Sequence, residues 1–314
     1  MIGRIAETLY WIGRYMERVE NHARLIDVDY HLQTNHSKEQ QHPWQMLVQT
    51  IGDTNATGNM KNNVSDTNVL ELLLFNPENR NSVLSCAANA RGNAQSVRQC
   101  LPSDLWEVIN GFYLWMKAAT VDQLLGYPHG FFQQLKQYTA IYQGVIDSVM
   151  LRDHEWHILQ AGKYLERSEN TLRILKTVIS ERGQAIDFDD CLALLKTISG
   201  FEAFRKSEAG QMSLGAMIDF MILNRYFPRS TGFAVNHLYK HINILFNSAK
   251  KTPDMTQLVR TVGRMRARFA YAESSEIIES SVVTYLSEEI SHCNSIGKII
   301  ETIFSTKEAR ILPF

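Results

Sequence analysis

Gly13-Arg-Tyr-Met-Glu-Arg-Val-Glu-Asn21 returns later in the chain as Gly162-Lys-Tyr-Leu-Glu-Arg-Ser-Glu-Asn170, without a gap and 149 positions further on. The likeness continues through Arg24/Arg173 and Leu25/Ile174. Both copies place apolar residues three and four apart, the spacing that gives a helix one apolar face. At about 100° per residue, Ile12, Tyr15, Met16, Val19, Ala23 and Ile26 share one side of the first copy, which reads as core. Tyr10, Arg14, Glu17, Arg18, Asn21 and Arg24 fall on the other side. Lys163, Glu166, Arg167, Asn170 and Arg173 fall in the same places of the second copy.

A second likeness follows in the same order. Leu73-Leu-Phe-Asn76-Pro-Glu-Asn-Arg-Asn-Ser82 resembles Ile222-Leu-Asn224-Arg-Tyr-Phe-Pro-Arg-Ser230, with Asn224 standing 148 positions after Asn76. Two collinear matches at nearly one offset point to duplication of about half the chain. The expected architecture is all-α, a bundle of about 10–12 helices in two halves, 1–149 and 150–314, related by a pseudo-twofold and packed as one globular unit. Periodicity places helices at 3–33, 42–51, 67–75, 79–100, 103–119, 129–148, 150–180, 188–208, 213–223, 229–248, 255–271 and 274–305. The Asn-, Thr- and Gly-rich stretch from Gly52 to Asp66, the Glu181-Arg-Gly183 stop and Lys250-Lys-Thr-Pro253 separate them.

Composition bounds the function. The 314 residues are 45% hydrophobic and 21% charged with a formal net charge of −1, so the chain is globular and has no overall basic field to hold nucleic acid or an anionic membrane. The four widely spaced cysteines, Cys86, Cys100, Cys191 and Cys293, form no C-x-x-C pair, which fits thiols in a reducing cytoplasm. Charged residues interrupt the N-terminus where a signal peptide would be apolar, and no window is apolar enough for a membrane span. No phosphate-binding glycine loop, dinucleotide fingerprint or nucleophile elbow occurs, so no cofactor is implied.

Two Glu-x-x-His spacings, Glu39–His42 and Glu289–His292, are weak as di-iron ligands because the partner carboxylates cannot be named. His154-Glu155-Trp156-His157 has the wrong spacing for a zincin. No metal is therefore expected. Trp106, Phe112, Tyr113 and Trp115 recur at helical spacing and read as core or partner surface rather than a base-stacking platform.

Three readings of the repeated polar stripe stand open. The charged groups can be local i,i+3 and i,i+4 helix pairs, or an interhelical Glu–Arg network that fixes the register of the two halves. They can also form a ligand site, with Glu17 and Glu166 as acid/base and Arg14, Arg18, Asn21, Lys163, Arg167 and Asn170 holding an anion. At the second repeated element, Asn76, Ser82, Asn224 and Ser230 suit helix capping, while Arg80 and Arg229 beside free N–H groups would suit an anion.

At these residues the chain resembles the alpha-E family of bacterial helical proteins named for a Glu-Arg signature. The resemblance runs from Arg4-Ile-Ala-Glu-Thr-Leu-Tyr-Trp-Ile-Gly-Arg-Tyr-Met-Glu-Arg18 through Asn76-Pro77, Ser82–Cys86, Ala90-Arg-Gly-Asn93, Trp106-Glu107 and Tyr164-Leu-Glu-Arg167 to Phe201-Glu-Ala203 and Phe227–Ser230. Gly92 stands where the family pattern has Glu. The resemblance implies the company of a circularly permuted ATP-grasp amidoligase and a transglutaminase-like peptidase, and hence ATP-driven amide-bond formation on a small peptide or amino acid. It leads to the expectation of an accessory or substrate-binding subunit. The alternatives are an enzyme of the same pathway that uses the stripe, and a purely structural self-assembling protein.

Overall fold

The computed structural model describes residues 3–35, 44–51, 65–207, 212–246 and 252–305, and among these residues there is no β-strand. In chain order the helices are α1 (Gly3–Asn35), α2 (Trp44–Ile51), α3 (Asp66–Leu70), α4 (Val83–Ser96), α5 (Ser103–Ala118), α6 (Val121–Gly126), α7 (Pro128–Val149) and α8 (His154–Arg182). They continue with α9 (Phe188–Thr197), α10 (Phe201–Ser207), α11 (Leu214–Met217), α12 (Thr231–Phe246), α13 (Pro253–Tyr271), α14 (Ser274–Ser280) and α15 (Val282–Ser305).

The chain divides into two compact units, Tyr15–Met150 and Met1–Arg14 with Leu151–Phe314. A change of unit falls after Met150, and the first turns of α1, through Arg14, group with Leu151–Phe314. In the larger unit, α8 packs on α12 and α15, and α13 packs on both α12 and α15. In the smaller unit, α5 packs between α4 and α7.

The close approach of α1 and α8 in the larger unit depends on two glycines. A Cβ on Gly13 would stand 2.1 Å from the Leu159 carbonyl oxygen, and a Cβ on Gly162 would stand 2.1 Å from the Tyr10 carbonyl oxygen. Only a residue without a side chain permits such backbone contact. The contact is reciprocal, since Gly13 and Leu159 exchange roles with Gly162 and Tyr10, the partners that the 149-residue offset pairs.

Several boundaries depart from the periodic reading. The expected helices over 67–75 and 213–223 each begin as α-helix and widen into a π-helical segment, Glu71–Phe75 and Ile218–Leu223. A π segment shifts later residues around the axis, which apolar spacing does not reveal. Helix 188–208 is split between α9 and α10, where Ser199 takes a positive φ of 50°. Helix 274–305 breaks at Ser281, with φ 111°. The short α6, closed by a Thr120/Gln123 capping box, went unforeseen. Gly183, φ 74°, ends α8 where the sequence placed a stop. The stretch 52–64, the segment 247–251 and the Glu39–His42 pair lie outside the described residues.

Candidate functional site

The repeated stripe is an interior feature. Ile12, Met16, Val19, Ala23 and Ile26 are core as expected, but Tyr10 and Glu17 on the supposedly polar side are fully buried too, and Tyr15 is only half-buried. Arg14, Asn21, Lys163, Glu166 and Arg167 are all buried, while Arg18 and Asn170 are half-buried. A helix whose charged face is enclosed must satisfy that face internally, because an unpaired buried charge costs several kcal/mol.

In the larger unit, Arg14 does this. Its Nε donates to Glu166 Oε2 at 2.6 Å, and Nη2 donates to Glu169 Oε2 at 3.0 Å. Nη1 lies 3.4 Å from the Tyr10 hydroxyl, and the guanidinium sits 5.3 Å from the Trp11 ring centre. Glu169 also receives Arg173 at 2.5 Å. The α15 helix covers the cluster where a Cβ on Gly297 would be 3.5 Å from Arg14 Nη1. Burial alone would lower the Arg14 pKa, but Tyr10, Glu166 and Glu169 hold it well above the ordinary value. Burial raises the Tyr10 hydroxyl to about 12 and drives the nearby Cys293 thiol well up. These groups keep fixed protonation states near neutrality.

The arginine of each Glu-Arg pair has a different task. Arg18 Nη1 donates to Asn81 Oδ1 at 3.0 Å, and Arg167 Nη1 donates to the Pro228 carbonyl at 3.0 Å. One turn on, His22 Nδ1 lies 3.0 Å from the Asn81 carbonyl, and Thr171 Oγ1 donates to the Arg229 carbonyl at 3.1 Å. Each motif helix thus grips the loop after a π segment at corresponding positions. The loops are built alike. Asn76 and Asn224 accept backbone N–H groups two residues on, at 2.9 and 2.8 Å, and so close turns. Ser82 and Ser230 cap α4 and α12, each accepting at 3.1 Å. The serines are N-caps as expected, whereas the asparagines are turn formers.

Of the residues proposed to hold an anion beside these loops, Arg80 is exposed and Arg229 half-buried; Arg229 contributes its backbone carbonyl to the grip. Local pairs exist as well, Glu20 with Arg24 at 3.1 Å and Glu169 with Arg173, again at matching positions. Glu20 and Glu169 were not singled out in the sequence, although both stand in the repeated nonapeptide. Glu289 of the second Glu-x-x-His spacing is fully buried and ion-paired with Arg268 at 2.6 Å, with His292 at 3.4 Å. Among the described residues no group of three or more His, Cys, Asp or Glu is placed to hold a metal ion.

Chemically, the site is a set of ion pairs and loop clamps. Glu17 has no accessible surface, and Glu166, 6% exposed, lies against a guanidinium. The fold and this site define a class of helical protein whose Glu-Arg pairs face inward and tie helices to loops. The chain belongs to the Alpha-E family, described as a predicted alpha-helical domain with a conserved ER motif, whose model matches residues 1–304. It is similar to the uncharacterized proteins Rv2567 of Mycobacterium tuberculosis and Mb2597 of Mycobacterium bovis, each 23% identical over 308 residues. The match covers 88% of this chain but 33% of each relative, so the chain spans about a third of their length. No solved structure matches it significantly. No helix among the described residues is long and apolar enough to cross a membrane.

Proposed function

We propose that the chain is an accessory helical module, not itself catalytic, that serves a circularly permuted ATP-grasp ligase in amide-bond formation on small peptides or amino acids. The observation that carries the non-catalytic part is the engagement of the signature residues: Arg14 closes Glu166 and Glu169, while Arg18 and Arg167 are spent on loop atoms. An acid/base must reach a substrate proton, and the enclosed Glu17 and Glu166 do not offer that reach. The length of the mycobacterial relatives, of which a chain like this forms a third, supports a module that works beside other domains. The ligase and a transglutaminase-like peptidase are proposed from the family's company alone. The matched clamps and reciprocal glycines support descent of the two halves from one duplicated ancestor.

The test is reconstitution. The ligase encoded beside the protein is assayed for ATP consumption with candidate amino acids and peptides, with and without wild-type, Glu17→Gln or Glu166→Gln protein. Stimulation by the wild type that persists with every folded variant is the expected result. Stimulation abolished by Glu166→Gln in a protein that remains folded would assign the stripe to catalysis instead.

A further inference from the structure

The outer face of α13 in the larger unit carries chemistry that the clamps do not use. Met255, Leu258, Val262, Met265 and Phe269 recur at three- and four-residue spacing and are buried, where α13 packs on α12 and α15. At about 100° per residue this sends Gln257, Arg260, Arg264, Ala267 and Tyr271 to the opposite side, and all five are exposed. Tyr271 stands at the helix end. Tyr226 stands beside it, because Arg225 Nη2 donates to the Ala270 carbonyl and so ties the loop carrying Tyr226 to the end of α13. At 89% and 85%, Tyr226 and Tyr271 are the two most exposed large hydrophobic side chains among the described residues. Rings of this kind are the anchors of protein interfaces.

Charge of opposite sign precedes and follows the tyrosine. From Gln257 to Tyr271 the chain has four arginines and no acid, and from Glu273 to Ser280 it has three glutamates and no base. Two of the arginines are engaged within the unit. Arg266 Nε donates to Asn236 Oδ1 at 3.0 Å, and Arg268 pairs with the buried Glu289 at 2.6 Å. Arg260 and Arg264 have no hydrogen bond or ion pair among the described residues, and neither have the exposed Glu273, Glu276 and Glu279. The start of α14 is fixed, since Ser274 Oγ donates to Asp219 Oδ2 at 3.0 Å and Ile277 is buried. At the rise of a helix Arg264 lies about 10 Å from Tyr271, and the short link to α14 leaves Glu276 at most about 14 Å from it. A basic arm and an acidic arm of similar reach thus meet at an uncovered aromatic centre.

We propose that this face binds a second copy of the chain about a twofold axis near Tyr271, with the tyrosines of both copies packed at the centre and Arg264 of each copy facing Glu276 of the other. A surface with a basic arm and an acidic arm about an apolar centre complements its own copy, because a twofold contact repeats every pair. A nucleic acid or an anionic membrane would be repelled by the glutamates. The other half of the chain lacks this centre, since the repeat offset puts the exposed Glu78 in the place of Tyr226. One such face per chain gives a closed dimer rather than a filament. Four tyrosines bury about 600–1,000 Å², and the charged arms bring the contact to the low end of specific interfaces, about 1,200 Å². The dimer is therefore micromolar and salt-sensitive. This interface stands independently of the ligase reading and is tested on the protein alone.

The test is sedimentation velocity of the whole chain over about 5–500 μM, at low and high sodium chloride. A monomer–dimer equilibrium that weakens with salt is expected. Arg264→Glu and Glu276→Arg, both at exposed positions where folding is tolerant, should each weaken the dimer by about tenfold or more, because every copy then opposes like charges twice. An equimolar mixture of the two variants should recover dimerisation near the wild-type level, since in the mixed dimer both contacts again join opposite charges. Tyr271→Ser, which leaves the charges in place, should weaken the dimer as well and serves as the reading if either charge variant fails to fold. The proposal is overturned by a protein that stays monomeric throughout the range, by species larger than a dimer, by folded variants that associate like the wild type, or by a mixture that associates no better than its components.

Discussion

At the scale of single residues, the structure separates charges that are matched from one that is not. Asp29 on α1 is half-buried, its Oδ2 has no hydrogen-bond partner among the described residues, and burial raises its pKa from 3.8 to about 7. A carboxyl whose folded pKa lies above its unfolded value contributes stability at low pH, and that contribution fades as pH rises from about 4 to 7. Asp29→Asn should therefore raise stability at pH 7.5, by on the order of 1–3 kcal/mol, and have little effect at pH 4. Equilibrium urea unfolding at the two pH values checks both signs. Gly92 presents the opposite case. It stands inside α4, and a Cβ there would meet nothing within 4 Å. Gly92→Ala should stabilise by about 0.5–1 kcal/mol through reduced backbone entropy, measurable as a higher denaturant midpoint with an unchanged slope.

At the scale of elements, two crossings can be tested. Gly13→Ala or Gly162→Ala puts a methyl group against a carbonyl oxygen of the facing helix, where backbone rather than a movable side chain must yield. Each should cost about 3 kcal/mol or more, beyond the usual overpacking range, and the loss should appear as a fall in unfolding midpoint, whereas Gly92→Ala raises it. The α8–α12 crossing should be acid-sensitive. Burial and neighbouring cations lower His237 from 6.5 to about 4 and His241 to about 3. The unfolded chain takes up these protons as pH falls through 6.5, but the folded crossing resists them until far lower pH. Stability is thus complete above about pH 6.5 and is lost between there and pH 3, at roughly 1 kcal/mol per pH unit for the more buried His241. His241→Gln should flatten this part of the stability–pH curve. The periodic reading found these long helices because their apolar faces are regular. It did not find the π segments or the breaks at Ser199 and Ser281, where local backbone geometry rather than hydrophobic spacing decides the path.

For the whole molecule, the repeat in the sequence disclosed the most. It located both signature helices and both capped loops. It did not disclose that the start of α1 joins the second half, because one continuous helix carries no sign of where its packing partners change. Nor did periodicity show that the polar stripe is enclosed: a charged helix face reads as solvated unless partners from distant sequence are known, and Glu166 and Glu169 lie more than 150 residues from Arg14. Of the three readings of the stripe, the interhelical network is the one that Arg14 embodies, with local pairs at Glu20–Arg24 and Glu169–Arg173 beside it. The central claim is that this network is an internal clasp. A double-mutant cycle of Arg14→Met and Glu166→Gln, read by equilibrium unfolding, measures it. The account predicts that each single change costs about 3–5 kcal/mol by stranding a buried partner, and that the double change costs markedly less than the two together, with a coupling of about 1.5 kcal/mol or more. Single changes that leave stability within about 0.5 kcal/mol of wild type, with no coupling, would contradict the claim and return the Glu-Arg pairs to the list of surfaces that serve a ligand.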